Sequence, residues 1–240
     1  MRKRTSLAAL AKFTLCILLV AAFVVNCSRS PDNTQPAAQI STTTAADVAS
    51  LTRDANAGNT NAQLRLGIHY LGGTNVQPNY SEAVKWLEQA AQSGNAQAEF
   101  LLGTLYQTGQ GVKRDYTNAL AWFEKAAAQK HREALYNLGS LYGSGRGVAQ
   151  DSEKAAHYYL QAAELGDSYA QFNVAQRCEL GRGVPTNFVE AWKWYDLAAQ
   201  GGVEDATKSK RTLETRMTPA QVQESRQAVA DFQKRAPGKN

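Results

Sequence analysis

Cysteine is scarce in this chain. There are three in 240 residues, Cys16, Cys27 and Cys178, too few for a disulfide framework. Histidine is as scarce: His69, His131 and His157 share no metal-ligand spacing with one another or with Cys178. Neither Ser-x-x-Lys nor Gly-x-Ser-x-Gly occurs, which removes two common settings for a serine nucleophile. A large charge surplus is also missing once the ends are set aside. The formal net charge of +5 divides into +4 over residues 1–27, −2 over 28–202 and +3 over 203–240. Nucleic-acid binding needs clustered bases to release counterions, and the body of the chain has no such surplus. What the chain does have is apolar content, 43%, enough for a core and too much for wholesale disorder.

Only one long apolar run exists. Phe13 to Val25 spans 13 residues, interrupted by Thr14 alone, behind Arg2, Lys3 and Arg4. A membrane-spanning helix needs about 20 apolar residues, so this run fits a secretory leader better. Val24-Val25-Asn26-Cys27-Ser28 follows. It resembles a lipoprotein signal, in which Cys27 is lipidated and becomes the new N-terminus; Asn26 departs from the small residue usual there. Cleavage near Ser28 and an uncleaved anchor are the alternatives. Residues 28–43 are polar, with two prolines and no apolar period. They read as a tether with an r.m.s. span of roughly 20–24 Å. The expected organisation is a leader over 1–27, a tether over 28–43, a repeat body over 44–217, and a capping helix with a tail over 218–240.

The body repeats every 36 residues without an insertion. Gly67, Gly103 and Gly139 hold one position, with Ala175 fourth, and Tyr70, Tyr106 and Tyr142 another, with Cys178 fourth. Gly73, Gly109, Gly145 and Gly181 recur, as do Val76, Val112, Val148 and Val184. One aromatic position is filled by Trp86, Trp122, Tyr158 and Trp194, and alanine pairs from Ala90-Ala91 to Ala198-Ala199 close each unit.

Each unit reads as two helices. Ala98, Leu102, Gly103 and Tyr106 have helical spacing. A glycine inside a helix costs about 1 kcal/mol relative to alanine. Its recurrence therefore predicts a close approach by a neighbouring helix, which Ala175 nearly preserves. The Gly-x-Gly-Val loops, with Asn75 replacing the second glycine in the first unit, predict positive φ there. Asn79, Asp115, Asp151 and Asn187 are N-caps of the second helices, and Glu82 and Glu190 three residues on suggest capping boxes. The valines after the loops are read as anchors into the core. Residues 44–57 and 204–217 read as half-units at the two ends, capped by a helix starting at Thr218-Pro219 whose Val222, Val229 and Phe232 share a face.

The set Ala98, Leu102-Gly103, Tyr106, Gly109-x-Gly111-Val112, Asp115, Ala119, Trp122-Phe123 and Ala126-Ala127 resembles the Sel-1-like repeat family, a branch of the tetratricopeptide-like solenoids, over residues 59–202. The resemblance implies an all-α, right-handed superhelical solenoid of four repeats with half-repeat caps. Departures are Ala175, Cys178, Asn75 and Lys130, the last standing where other units have Gly94, Gly166 and Gly202, which predicts a strained turn. Some secreted relatives carry cysteine pairs and have been linked to penicillin binding or hydrolysis. This sequence lacks the pairs, so no enzyme activity and no cofactor are carried over. A hydrolase, or a secreted host-interaction factor, remains the alternative.

Strings that imitate catalytic motifs have structural readings. Gly143-Ser144-Gly145-Arg146-Gly147 resembles a phosphate loop but lies between predicted helices, with no strand before it. His131-Arg132-Glu133 has no Pro-Cys-x-x-Cys behind it. Cys178 reads as a small buried hydrophobe, a reactive thiol being the alternative. The row from Trp86 to Trp194 reads as core. Trp192 and Phe188 either form a side patch or pack a C-terminal helix.

A solenoid offers its first helices to a partner, and partner-binding positions should differ between units where packing positions repeat. One i, i+3 stripe does so: Arg65 and Ile68, Leu101 and Thr104, Asn137 and Ser140, Asn173 and Gln176. Asn137 and Asn173 each donate and accept, as a clamp on an extended peptide would. A solvated polar face is the competing reading. The expectation is a monomeric, non-enzymatic protein- or peptide-binding scaffold, exported to the periplasm or outer membrane and lipid-anchored, with no nucleic-acid partner.

Overall fold

The computed structural model describes residues 45–72 and 77–235. The leader, the tether, Cys27, the loop Gly73-Thr74-Asn75-Val76 and the last five residues lie outside the described residues. Those described form eleven α-helices and no strand. They are α1 (Ala45–Asn56), α2 (Thr60–Tyr70), α3 (Tyr80–Gln92), α4 (Ala96–Thr108), α5 (Tyr116–Ala128) and α6 (Arg132–Ser144). The remainder are α7 (Ser152–Glu164), α8 (Ser168–Leu180), α9 (Phe188–Gln200), α10 (Glu204–Glu214) and α11 (Pro219–Arg235). Four helical hairpins, α2–α3 through α8–α9, stack as a solenoid between the half-units α1 and α10.

The recurring helical glycines act as expected. A Cβ on Gly67, Gly103 or Gly139 would meet Leu87, Phe123 or Tyr159 at 2.6, 2.6 and 2.8 Å. Each first helix therefore sits directly on one large side chain of its own second helix. These recipients, with Tyr195 in the fourth unit, are the buried apolar position of the second helix. The row from Trp86 to Trp194, one residue earlier, packs against the core but stays half-buried in the first three units. Trp194 alone is buried, because α11 folds over it and sets Phe232 at 5.1 Å.

Two kinds of turn join the helices. After α4, α6 and α8 the chain turns on Gly109, Gly145 and Gly181 in the left-handed region. The second glycine, at 111, 147 or 183, also has positive φ and lies against backbone. A Cβ on Gly111 would stand 2.5 Å from the Tyr80 carbonyl oxygen, and one on Gly147 2.5 Å from the Tyr116 carbonyl carbon. Tyr80 and Tyr116 open the second helices of the preceding units, so each loop seats on the neighbouring unit. Val112, Val148 and Val184 then pack half-buried against the core.

The other turn follows each second helix. The amide of Asn95, His131, Asp167 or Val203 donates five residues back, closing a Schellman motif around a left-handed residue. That residue is Gly94, Gly166 or Gly202 in three units and Lys130, φ 60°, in the other. Nothing lies within 4 Å of a Cβ at those glycines. The requirement is conformational, and Lys130 meets it at a cost.

Asn79, Asp115, Asp151 and Asn187 cap their helices as expected. The boxes at Glu82 and Glu190 are only half made. The cap amides of Asn79 and Asn187 donate to the carbonyls of Tyr70 and Cys178, both at 2.8 Å, and the two glutamates pair with Lys85 and Lys193 instead. A complete box forms at the C-terminal helix. The Thr218 amide donates to Gln221 Oε1 at 2.9 Å, and the Gln221 amide donates to Thr218 Oγ1 at 3.3 Å. That helix runs through Arg235, with Lys234 and Arg235 in its last turn. It packs on α9 rather than making a hairpin with α10. Trp192 is buried, with its indole N–H donating to Glu214 at 2.7 Å, and Phe188 lies under the Arg216 guanidinium. Both aromatics hold the C-terminal half-unit.

Lys130→Gly should stabilise the protein by about 1 kcal/mol by relieving the left-handed strain, raising the melting temperature about 2–4 °C. Gly111→Ala should cost at least about 2 kcal/mol, because it adds both strain and a backbone clash. Thermal unfolding of the two variants beside the parent protein measures both.

Candidate functional site

Successive first helices touch one another directly, α2 against α4. The Tyr136 phenol on α6 lies near Asn173 on α8, and burial raises its pKa above the ordinary 10. The first helices α2, α4, α6 and α8 form one layer of the stack, and the predicted stripe lies on that layer.

The predicted stripe is divided by the structure. Arg65 and Gln176 are exposed, while Ile68, Thr104, Asn137, Ser140 and Asn173 are half-buried. Leu101 is a correction: at 5% exposure it belongs to the core with Leu102 and Leu105, and no partner can reach it. Apolar residues at a helix position turn inward wherever the neighbouring helix leaves room. Thr104 spends its hydroxyl on the Phe100 carbonyl at 3.1 Å, and Ser140 lies near the Tyr159 hydroxyl. Asn137 and Asn173 each donate one amide N–H to their own helix, to the Glu133 and Tyr169 carbonyls, both at 2.8 Å. Asn173 also lies near Tyr136. Asn137 keeps its second N–H and its oxygen for a ligand.

Beside this stripe runs a row that the sequence reading passed over. Leu64, Phe100, Tyr136 and Phe172 stand 36 residues apart and are all half-buried. The three aromatic members pack tilted or edge-on against the second-helix recipients, with Phe100–Phe123 at 6.0 Å, Tyr136–Tyr159 at 5.5 Å and Phe172–Tyr195 at 5.6 Å. Their period was visible, but a row that is large in every unit looks like packing. Tyr169, 57% exposed, is the most accessible aromatic of this face. Burial raises the Tyr159 phenol to about 12 and pushes Tyr195 up further, so both stay neutral donors.

The junction between the second and third units carries a polar cluster. His131 replaces the asparagine or aspartate that caps the other complete first helices, and it makes no side-chain cap. It stacks on Phe100 at 4.8 Å, and its Nε2 meets Gln97 Oε1 at 2.9 Å. Its Nδ1 lies 3.3 Å from Glu133, beside Arg132. Burial holds the His131 pKa below its ordinary 6.5; Glu133 opposes that shift and Arg132 adds to it. Asp167, at the start of α8, is raised by burial.

Chemistry elsewhere is sparse. Cys178 is buried, and burial lifts its thiol to about 11, so it is a packed hydrophobe and not a reactive thiol. Gly145 and Gly147 lie in an inter-helix turn, and the phosphate-loop imitation is structural. Among the described residues no three His, Cys, Asp or Glu gather as a metal site.

The His131 environment sets a pH dependence. A lowered folded pKa means that the unfolded chain takes the proton first, so this contribution is complete above about pH 6.5 and is lost as pH falls below it. Asp167 acts in the opposite sense, nearer the carboxylate range. Denaturant titrations from about pH 8 to 5 should show stability declining below about 6.5. His131→Asn, which supplies the cap used by Asn95, should flatten that decline.

Comparison with known proteins follows the same register. The Sel1 repeat pattern matches residues 60–95, 96–131, 132–167 and 168–203, one match per helical hairpin. Among solved structures, the chain is similar to a Sel1 repeat protein from Oxalobacter formigenes, with 31% identity and a TM-score of 0.65, over 78% of each chain. It is also similar to c5321, described as a protective antigen present in uropathogenic Escherichia coli strains displaying an SLR fold. Identity there is 34% and the TM-score 0.64, over 66% of this chain and 34% of c5321. The chain thus spans about a third of the length of that relative. No curated protein matches it.

Proposed function

Because the chain belongs to the Sel1 repeat family, whose members are typically protein-interaction scaffolds, we propose that it is a non-enzymatic adaptor of the bacterial cell envelope. In this reading Cys27 carries the lipid, residues 28–43 form the tether, and a monomeric solenoid holds an extended segment of a protein partner along its first-helix face. The export reading rests on the charged start, the short apolar run and the position of Cys27. That c5321 is a protective antigen supports a location reachable from outside.

One observation carries the binding reading. Positions that pack keep one residue type or size from unit to unit, whereas Arg65, Tyr169 and Gln176 differ from their counterparts and expose polar or aromatic groups on one helical layer, beside the half-buried pair Asn137 and Asn173. Asn137 has an unspent donor and acceptor, the pair an extended peptide backbone requires. A hydrolytic reading would need a nucleophile, and burial keeps the Cys178 thiol protonated near neutral pH.

Asn137→Ala combined with Asn173→Ala should weaken capture of the envelope partner about tenfold or more, with little change in melting temperature. Unchanged capture of partners identified by crosslinking would remove the first-helix face from consideration. Mass spectrometry of the N-terminal peptide should find a diacylglyceryl-modified Cys27, and a free amine on Ser28 would refute the anchor.

A further inference from the structure

A second site lies away from the first-helix face, on the edge where the glycine loops stand. There the loop between α4 and α5 meets the loop between α6 and α7 of the next unit. Between them is a shallow, open depression of about 660 Å³. Its floor is Tyr106, Val112 and the Tyr116 ring, and Gly147 closes one side.

Two arginines from different units flank that ring. The guanidinium carbons of Arg114 and Arg146 each lie 5.8 Å from the Tyr116 centroid; Lys113 and Arg114 line the cavity, and Arg146 stands at its rim next to the lining Gly147. All three bases are exposed, and among the described residues none makes an ion pair with a carboxylate. The one acid in the wall, Asp115, is already committed as an N-cap. It accepts from the Thr117 amide at 2.9 Å, the Asn118 amide at 3.1 Å and Asn118 Nδ2 at 2.9 Å. These bonds, with Lys113 nearby, hold its carboxyl below the usual range. The cavity therefore keeps a positive excess on a repeat body that is otherwise slightly acidic.

Loop closure does not require these residues. Positions equivalent to Arg114 are Pro78 in the first unit and Gln150 in the third. Gln150 spends its amide on the Gly143 carbonyl at 2.9 Å, whereas the Arg114 guanidinium makes no hydrogen bond to its own loop. Positions equivalent to Tyr116 are Tyr80, Ser152 and Phe188, and Arg146 is matched by Gln110 and Arg182. Only at this junction do an aromatic ring and an arginine from each neighbouring loop coincide.

From this coincidence we infer that the Arg114–Tyr116–Arg146 pocket is a second, independent docking site, one that takes an acidic segment of a protein partner. Guanidinium forks match carboxylates in bidentate geometry, and the ring holds both arginines near their working positions. A membrane surface fits less well, because it would need bases spread over a flat face, and these arginines converge on one ring beside a concavity with a carboxylate in its wall.

Fluorescence anisotropy with the full-length purified protein tests this, using a fluorescein-labelled peptide of alternating Glu and Ala and a Gln-for-Glu control. The Glu peptide should bind saturably and weaken with salt. Arg114→Gln combined with Arg146→Gln should lower its affinity about tenfold or more, at unchanged melting temperature. Asn137→Ala with Asn173→Ala should leave it unchanged, so this site and the first-helix face stand or fall separately. Equal affinity of the parent protein and the double arginine variant, or equal binding of the Gln peptide, would overturn the assignment. Phosphatidylglycerol vesicles that displace the peptide and need the same arginines would overturn it in favour of a lipid headgroup site.

Discussion

The contact on which the rest depends is the one that Gly111, Gly147 and Gly183 make with the first residue of the preceding unit's second helix. No side chain fits there, since a Cβ would penetrate the backbone of Tyr80, Tyr116 or Ser152. Because backbone meets backbone, the spacing between units is set without regard to which side chains surround it. The surface positions of each loop are thereby released from packing. At one junction that freedom is filled by Lys113, Arg114 and Arg146, and the same close approach of Gly147 to Tyr116 brings two arginines to one ring.

A second constraint acts inside each unit. Gly67, Gly103 and Gly139 let the first helix rest on Leu87, Phe123 or Tyr159, and the half-buried row from Leu64 to Phe172 closes over the same side chains. The first-helix face is therefore built on packed aromatics with polar groups at their margin. Tyr136–Tyr159 and Phe172–Tyr195 contacts hold neighbouring rings of that surface against the second helices. It is a firm platform rather than a set of loose side chains, which lowers the ordering cost of binding a flexible segment.

The third unit departs from the pattern at its entry. Lys130 takes a conformation that glycine holds elsewhere, and His131 replaces a capping amide or carboxylate. What the turn loses in capping, the junction recovers partly through the stack on Phe100 and the bond to Gln97. Those contacts bury an imidazole, so this junction loses stability as pH falls below about 6.5.

Much of the architecture was legible because a repeat shows the same physical requirement four times over. The helix pairs, the N-caps from Asn79 to Asn187, the positive-φ turns and the close approach at Gly103 all follow from residue type recurring at a fixed step. The half-made boxes at Glu82 and Glu190 were not legible, because the competing carbonyls of Tyr70 and Cys178 come from the preceding helix. Leu101 was misplaced for a related reason: its register suits an exposed stripe, and only the room left between neighbouring helices decides that it turns inward. The row from Trp86 to Trp194 shows the same limit, since its burial depends on whether another helix covers it, and α11 covers the last member alone. Local chemistry and period, which a sequence carries in full, determined the repeat and its turns. Which side chains face a partner, and which arginines from separate units share one ring, depended on distances between units, which exist only once the stack has formed.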